Sequence, residues 1–178
     1  MSDEIVNVNE TSEAKMAGAM EIVKRNMIWS AGAGLLPIPW IELVAITSIE
    51  VKLIKDLSDY YSMTFRKDLA KTAVASLIGS LGSLTLGKIL AGSSLRLIPV
   101  IGHLVAAASL SAVAASITYA IGKVFISHFE TGGTLLDFDP VKVREYFRTE
   151  FTKDVNTTGN AASEKVVPEN GGKKPVPA

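Results

Sequence analysis

Charge comes in blocks along this chain, and between the blocks lie three uncharged stretches: Met27–Ile41, Thr72–Gly87 and Leu97–Gly122. Apolar residues within and around them recur at helical spacing, and no segment alternates as a strand does. The pattern predicts helices over about Ser12–Leu35, Trp40–Ser62, Arg66–Leu95 and Ile101–Phe129, and a last one from Asp139-Pro140 to Phe151. Ser12 or Thr11 is a plausible cap for the first, and proline after an aspartate suits the start of the last. In the second helix Ile46, Ile49, Leu53, Ile54 and Leu57 form an apolar face, with Glu50, Lys52, Lys55, Asp56 and Asp59 assigned to the other side. The fold class is all-α.

Two of the uncharged stretches are interrupted by proline. Leu36-Pro37-Ile38-Pro39-Trp40 and Ile98-Pro99-Val100 each follow small residues and precede a long apolar helix. Proline lacks an N–H and restricts the residue before it, so neither run continues as a regular helix. The two segments align with one gap, as a duplication or chance likeness between short apolar strings would both produce. Either way the reading is two helical hairpins with turns at Pro37, Pro39, Trp40 and Pro99, followed by a short C-terminal amphipathic helix.

Composition then raises the question of solvent. The chain has 178 residues, 48% hydrophobic and only 20% charged, against about 25% charged in an ordinary soluble domain. A bilayer span needs about 20 apolar residues, a length that Leu97–Gly122 reaches cleanly. Ala75, Gly79, Ser83 and Gly87 on the third helix, and Ala108, Ala112 and Ser116 on the fourth, recur every four residues. That spacing lets two backbones approach closely, in a membrane or in an alanine-rich soluble pair. With Leu77, Leu81, Leu84, Leu104, Val113, Ile117 and Ile121 read as uncovered outer faces, the expectation is a membrane-embedded or membrane-dipping pair of hairpins. Arms of about ten residues let the first hairpin dip and return, while the second can cross. Lys24, Arg25, Lys52, Lys55, Arg66, Lys67, Lys71 and Lys123 flank the hairpins, which places both feet, and the termini, in the cytoplasm.

The ends differ from the middle. Residues 1–13 are polar and acidic, and residues 153–178 are rich in Asn, Gly, Pro and Lys; both are expected to be disordered, leaving residues 14–152 as the helical domain. The first residues also lack the basic-then-apolar order of a signal peptide.

Little in the chain supports chemistry. Eighteen basic residues balance eighteen acidic ones, there is no cysteine, and there are two histidines. This argues against a dedicated nucleic-acid binder and excludes thiolate sites. Gly82 to Lys88 matches seven positions of a phosphate-binding loop, but Ile89 stands where Ser or Thr is needed and no strand precedes it. Glu42 and His103, just beyond the proline turns, form a candidate intramembrane polar pair; the plainer reading is that both serve the first turns of their helices. No nucleophile, base and orienting group come together, so neither catalysis nor a cofactor is expected. Leu135, Leu136 and Phe138, with Arg144 and Arg148 beyond them, are a candidate partner surface, the alternative being that the apolar three pack back onto the core.

The strings Trp29–Pro39 (WSAGAGLLPIP), Leu57–Tyr61 (LSDYY) and Ala120–Asp139 (AIGKVFISHFETGGTLLDFD) resemble the YcjF-like family of bacterial membrane-associated proteins. The resemblance covers about Ala17–Phe151 and is most specific at His128–Thr134. It implies a module of the bacterial inner membrane whose domain is often linked to Era-like GTPases. The expected role is anchoring, scaffolding or regulating such a partner, a GTPase or another protein, on the bilayer, without enzymatic activity and as a homo-oligomer. An oligomeric pore or membrane-remodelling assembly is the alternative, and a soluble bundle holding an apolar ligand a third.

Overall fold

The computed structural model describes the backbone of residues 2–33, 39–91 and 99–166, and the side chains of residues 12–33, 46–82 and 110–158. It is all-helical: α1 (Ser2–Ala33), α2 (Pro39–Tyr60), α3 (Lys67–Ala91), α4 (Pro99–Glu130) and α5 (Arg144–Val166). α2 and α4 both open on a proline of the predicted turns, where a missing N–H is harmless. The other turn residues, Pro37 among them, and the side chains of Trp40, Glu42 and His103 lie outside the described residues.

The bundle is organised around α4. Its stretch Leu110–Glu130 is long and apolar enough to cross a membrane, yet it is mostly buried by the other helices. α5 and α1 cover it most extensively, and α3 touches it least. Cross-links define the directions. Ser30 Oγ donates to the Ala114 carbonyl at 3.0 Å and Ser111 Oγ to the Ala31 carbonyl at 2.7 Å, so α1 runs antiparallel to α4. Ser116 Oγ donates to Asp154 Oδ2 at 2.8 Å and Tyr119 lies near Glu150, so α5 runs antiparallel as well. α2 runs parallel to α4, with Thr118 beside Glu50 and Tyr61 beside Glu130.

Burial corrects the expected faces. Val113, Ile117 and Ile121 of α4, and Leu77 and Leu81 of α3, are buried rather than turned outward. On α3 the buried face is Ala70, Ala73, Val74, Leu77 and Leu81, while Ala75 and Gly79 point away from the bundle. The reason is area: burying two leucines and a valine removes far more apolar surface from water than burying alanine and glycine. Ala112 and Ser116 on α4 are buried, but Ser116 is bonded to α5. Ser83, Leu84, Gly87, Leu104 and Ala108 lie outside the described side chains. Helix α3 is also not continuous: Gly82 has φ 66° and ψ 160° inside it. Such a backbone releases carbonyls of the preceding turn, and Arg148 of α5 takes up that of Ser80, with Nε at 3.0 Å and Nη2 beside it.

Helix ends differ from the sequence expectation in three places. α1 already begins at Ser2 and α5 runs on to Val166, so helix occupies much of both terminal segments. Val155 is buried with Phe147 and Phe151, which gives the extension of α5 an apolar anchor. At the other end of α5, Asp139 Oδ1 accepts from the Val141 N–H at 2.9 Å, but this closes a turn, and the helix starts at Arg144. α2 and α4 close with the same pair of bonds, Met63 N–H to Ser58 and Ser62 N–H to Asp59, then Gly133 N–H to His128 and Gly132 N–H to Phe129. The residue at positive φ is Ser62 in one (58°) and Gly132 in the other (79°), the usual helix-ending geometry.

Packing of α1 on α4 rests on one missing side chain. A Cβ on Gly122 would stand 2.5 Å from Val23 Cγ2. Gly122→Ala is therefore expected to destabilise the fold by about 1–3 kcal/mol through overpacking. In a Val23→Ala background the same change should raise Tm, because space is then available and alanine is favoured in a helix by about 1 kcal/mol. Thermal unfolding of the four proteins checks the change of sign.

Candidate functional site

Four features outside ordinary apolar packing stand out: a buried polar string, a closed loop beyond α4, exposed apolar residues on α1, and an open basic cleft between α2 and α3.

The string crosses the core between α1, α2 and α4. Ser30 Oγ and Thr118 Oγ1 share the Ala114 carbonyl, and Thr118 Oγ1 lies 2.6 Å from Glu50 Oε1. Glu50 is fully buried, and its Oε2 has no partner among the described residues. Burial pushes its carboxyl up to about 8, with the contact to Thr118 acting weakly in the other direction. At neutral pH the acid is therefore protonated. It can donate through Oε1 to the Thr118 hydroxyl, which donates in turn to Ala114, and a neutral carbonyl is a much cheaper atom to leave unpaired than a carboxylate. One turn before Ser30, buried Asn26 donates to the Ile22 carbonyl at 2.9 Å and to Asp56 Oδ2 at 3.4 Å. Asp56 also accepts from Lys52 at 2.5 Å and pairs with Arg25 at 3.5 Å. These bonds outweigh desolvation, the largest single influence, and hold its carboxyl below the usual range.

The charge of Glu50 suggests the solvent side of α2, where the structure does not place it. The signal was present: Glu50 stands four residues after Ile46, three before Leu53 and four before Ile54, on the apolar stripe itself.

The loop following α4 is closed on itself. His128 Nε2 lies 2.8 Å from the Thr134 carbonyl, and Asp137 Oδ1 accepts from the Thr134 N–H at 2.6 Å. The His128 ring covers Gly133 so closely that a Cβ there would collide with it. Phe138 stacks on Phe125 with centroids 4.5 Å apart, and Leu135 is buried. Of the candidate partner surface, Leu135 is thus core, Phe138 packs half-buried against it, and Arg148 is committed to Ser80 and to Glu145 at 3.0 Å. Leu136, 74% exposed, and Arg144 remain on the surface, and Val141, 65% exposed, joins them. Nearby, Tyr61 donates to Glu130 Oε1 at 2.6 Å beneath Lys15, whose Nζ stands 4.8 Å from the ring centre. Tyr60 donates to the Lys15 carbonyl at 3.0 Å. The Leu57–Tyr61 and His128–Thr134 strings are therefore the fastening of one end of the bundle.

At the opposite end, α1 carries Ile28 and Trp29, 73% and 68% exposed, one turn beyond Lys24 and Arg25. On the flank, α2 and the start of α3 border a cleft of about 670 Å³ lined by Val51, Phe65, Lys52, Lys55, Lys67 and Lys71. No group of three or more His, Cys, Asp or Glu suited to a metal ion occurs among the described residues.

The chain belongs to the family described as "Domain of unknown function (DUF697)", which matches residues 7–153. It is similar to Magnetosome membrane protein 22 of Magnetospirillum gryphiswaldense (strain MSR-1), with 32% identity over 148 residues covering 83% of this chain and 73% of the relative. No solved structure matches.

Glu50 makes stability depend on pH in an unusual direction. Between the ordinary carboxyl value of 4.5 and about 8, the folded state holds a proton that the unfolded chain has released. Stability must then fall as pH rises through this window, by up to roughly 1.4 kcal/mol per unit. Tm measured from pH 5.5 to 8.5 is expected to drop in the wild type and to vary much less in Glu50→Gln, whose amide can occupy the site uncharged.

Proposed function

We propose that this DUF697 protein is a non-enzymatic membrane module of the bacterial inner membrane. Its helical body stays at the cytoplasmic surface while the proline-turn ends of the hairpins enter the bilayer. The observation that carries the reading is the exposure of Ile28 and Trp29, at 73% and 68%, next to Lys24 and Arg25. They lie on α1 as it leads toward the first proline turn. Large apolar residues gain nothing from such positions in water, whereas tryptophan beside lysine and arginine suits the boundary between headgroups and acyl chains. A membrane protein at 32% identity supports the same reading. The burial of Leu110–Glu130 favours a dipping module over one in which α4 spans alone.

In this reading the opposite end is the cytoplasmic face offered to a partner such as an Era-like GTPase, as the resemblance to YcjF-like proteins suggests. The surface available there is Leu136, Val141 and Arg144, narrower than the sequence suggested because Leu135 is core and Phe138 packs half-buried against it.

A second reading, an oligomeric pore or remodelling assembly, is favoured by one observation: Ala75 and Gly79 form an exposed small-residue face, with nothing within 4 Å of a Cβ placed on Gly79. Such a face suits close contact with a second helix. Gly79→Leu should leave Tm within about 1 kcal/mol of stability change, since the site is open. If copies pack through this face, the same variant should reduce oligomer size in detergent; unchanged size removes the second reading.

Membrane entry is tested on Trp29 in the Trp40→Phe variant. With vesicles, the emission should shift to the blue and be quenched by lipids brominated on their acyl chains, and the protein should stay in the membrane pellet after alkaline carbonate. Emission typical of water, indifferent to brominated lipid, would reject the proposal.

A further inference from the structure

Four lysines surround the cleft between α2 and the start of α3, above an apolar floor. Lys52 and Lys55 rise from α2, and Lys67 and Lys71 stand one turn apart on α3. Val51 and Phe65, both half-buried, form the floor. The volume, about 670 Å³, is that of a small-molecule site.

The charges are only partly spent. Lys52 pairs with Asp56 and Lys55 with Asp59, each at 2.5 Å. Lys67 and Lys71 make no ion pair among the described residues, although Asp68 is nearby on the first turn of α3. The Lys55–Asp59 pair, exposed and one turn apart, is weak, so Lys55 is free to exchange its carboxylate for a stronger acceptor, while Lys52 stays with half-buried Asp56 and adds its charge at the rim. Lys67 and Lys71 lie in the first two turns of α3, whose positive end adds to the attraction for an anion. A small soluble anion would use the rim and leave Val51 and Phe65 wet. A ligand with a phosphate beside an apolar shoulder uses both.

We propose that this cleft binds the phosphate of an anionic phospholipid, with the lysines on the phosphate and the glyceride shoulder on Val51 and Phe65. The inference rests on the membrane reading for its source of lipid, but it concerns a separate part of the molecule. Trp29 reports insertion at the end of the bundle, and the cleft lies on its flank.

The experiment compares the full chain with Lys67→Gln/Lys71→Gln, which leaves the Lys52 and Lys55 pairs intact. A Lys142→Gln/Lys153→Gln control removes the same charge elsewhere, and Phe65→Ser removes the apolar floor, its Tm being compared with the wild type because Phe65 also packs against the core. Vesicle flotation should show the wild type binding phosphatidylcholine vesicles containing phosphatidylglycerol at least about tenfold more tightly than phosphatidylcholine alone. The cleft variant should lose most of that preference while its Trp29 quenching persists, and the control should keep it. Phe65→Ser should weaken binding of water-soluble dihexanoyl-phosphatidylglycerol, measured by chemical-shift changes of the lysine side chains. Inorganic phosphate at millimolar concentration should not displace that lipid. Equal losses in the control, or full preference in the cleft variant, would overturn the site. Displacement by inorganic phosphate, with Phe65→Ser unaffected, would overturn the lipid and leave a soluble phosphate compound as the ligand. Failure of Trp29 to respond to vesicles, with binding of the soluble lipid intact, would reject the membrane reading and retain the cleft.

Discussion

The structure depends on covering one helix. Leu110–Glu130 of α4 is too apolar to face water, and the hydrophobic effect requires that protein or lipid enclose it. Here protein does so. α1 and α5 lie antiparallel against it, α2 lies parallel, and α3 completes the core from further away. This need explains why α3 presents Leu77 and Leu81 inward and leaves Ala75 and Gly79 outside. It also explains the continuation of α5 past Phe151, since Val155 extends the cover along α4.

Covering an apolar helix strands the polar atoms it carries, and these set the register. Ser111 reaches the Ala31 carbonyl, Ser116 reaches Asp154, and Thr118 meets Glu50. Ser30 answers from α1 at Ala114. A slide of one turn along any of these contacts would leave hydroxyls or carboxyls buried without partners, a larger penalty than the bonds themselves gain. Glu50 is the extreme case. It is tolerated because it keeps its proton, and the resulting dependence on pH belongs to the fold rather than to any reaction.

The two ends of the molecule are built differently. One is fastened by Tyr60, Tyr61, Glu130, His128 and the stacked Phe138, and leaves Leu136 and Val141 exposed, with Met16 and Tyr60 partly so. The other carries Ile28 and Trp29 on a helix that leads to a proline turn. Between them the lysine cleft faces sideways.

Local rules decided much of this from sequence. The all-helical class follows from helical periodicity, which acts within a few residues; α2 and α4 open at Pro39 and Pro99, one and two residues ahead of the expected Trp40 and Ile101. The apolar length of α4 was equally plain. What encloses it was not, because a buried core helix and a membrane span share the same composition. The faces of α3 were misjudged for a related reason: four-residue spacing marks two possible interfaces on one helix, and only the partner helices choose between them. Glu50 was assigned to solvent by its charge, although its register lay with Leu53 and Leu57. Its position was written in the periodicity. Its protonation, the pairing of Arg148 with Ser80, and the convergence of Lys52, Lys55, Lys67 and Lys71 required tertiary structure, because each joins residues on different helices whose approach no local pattern specifies.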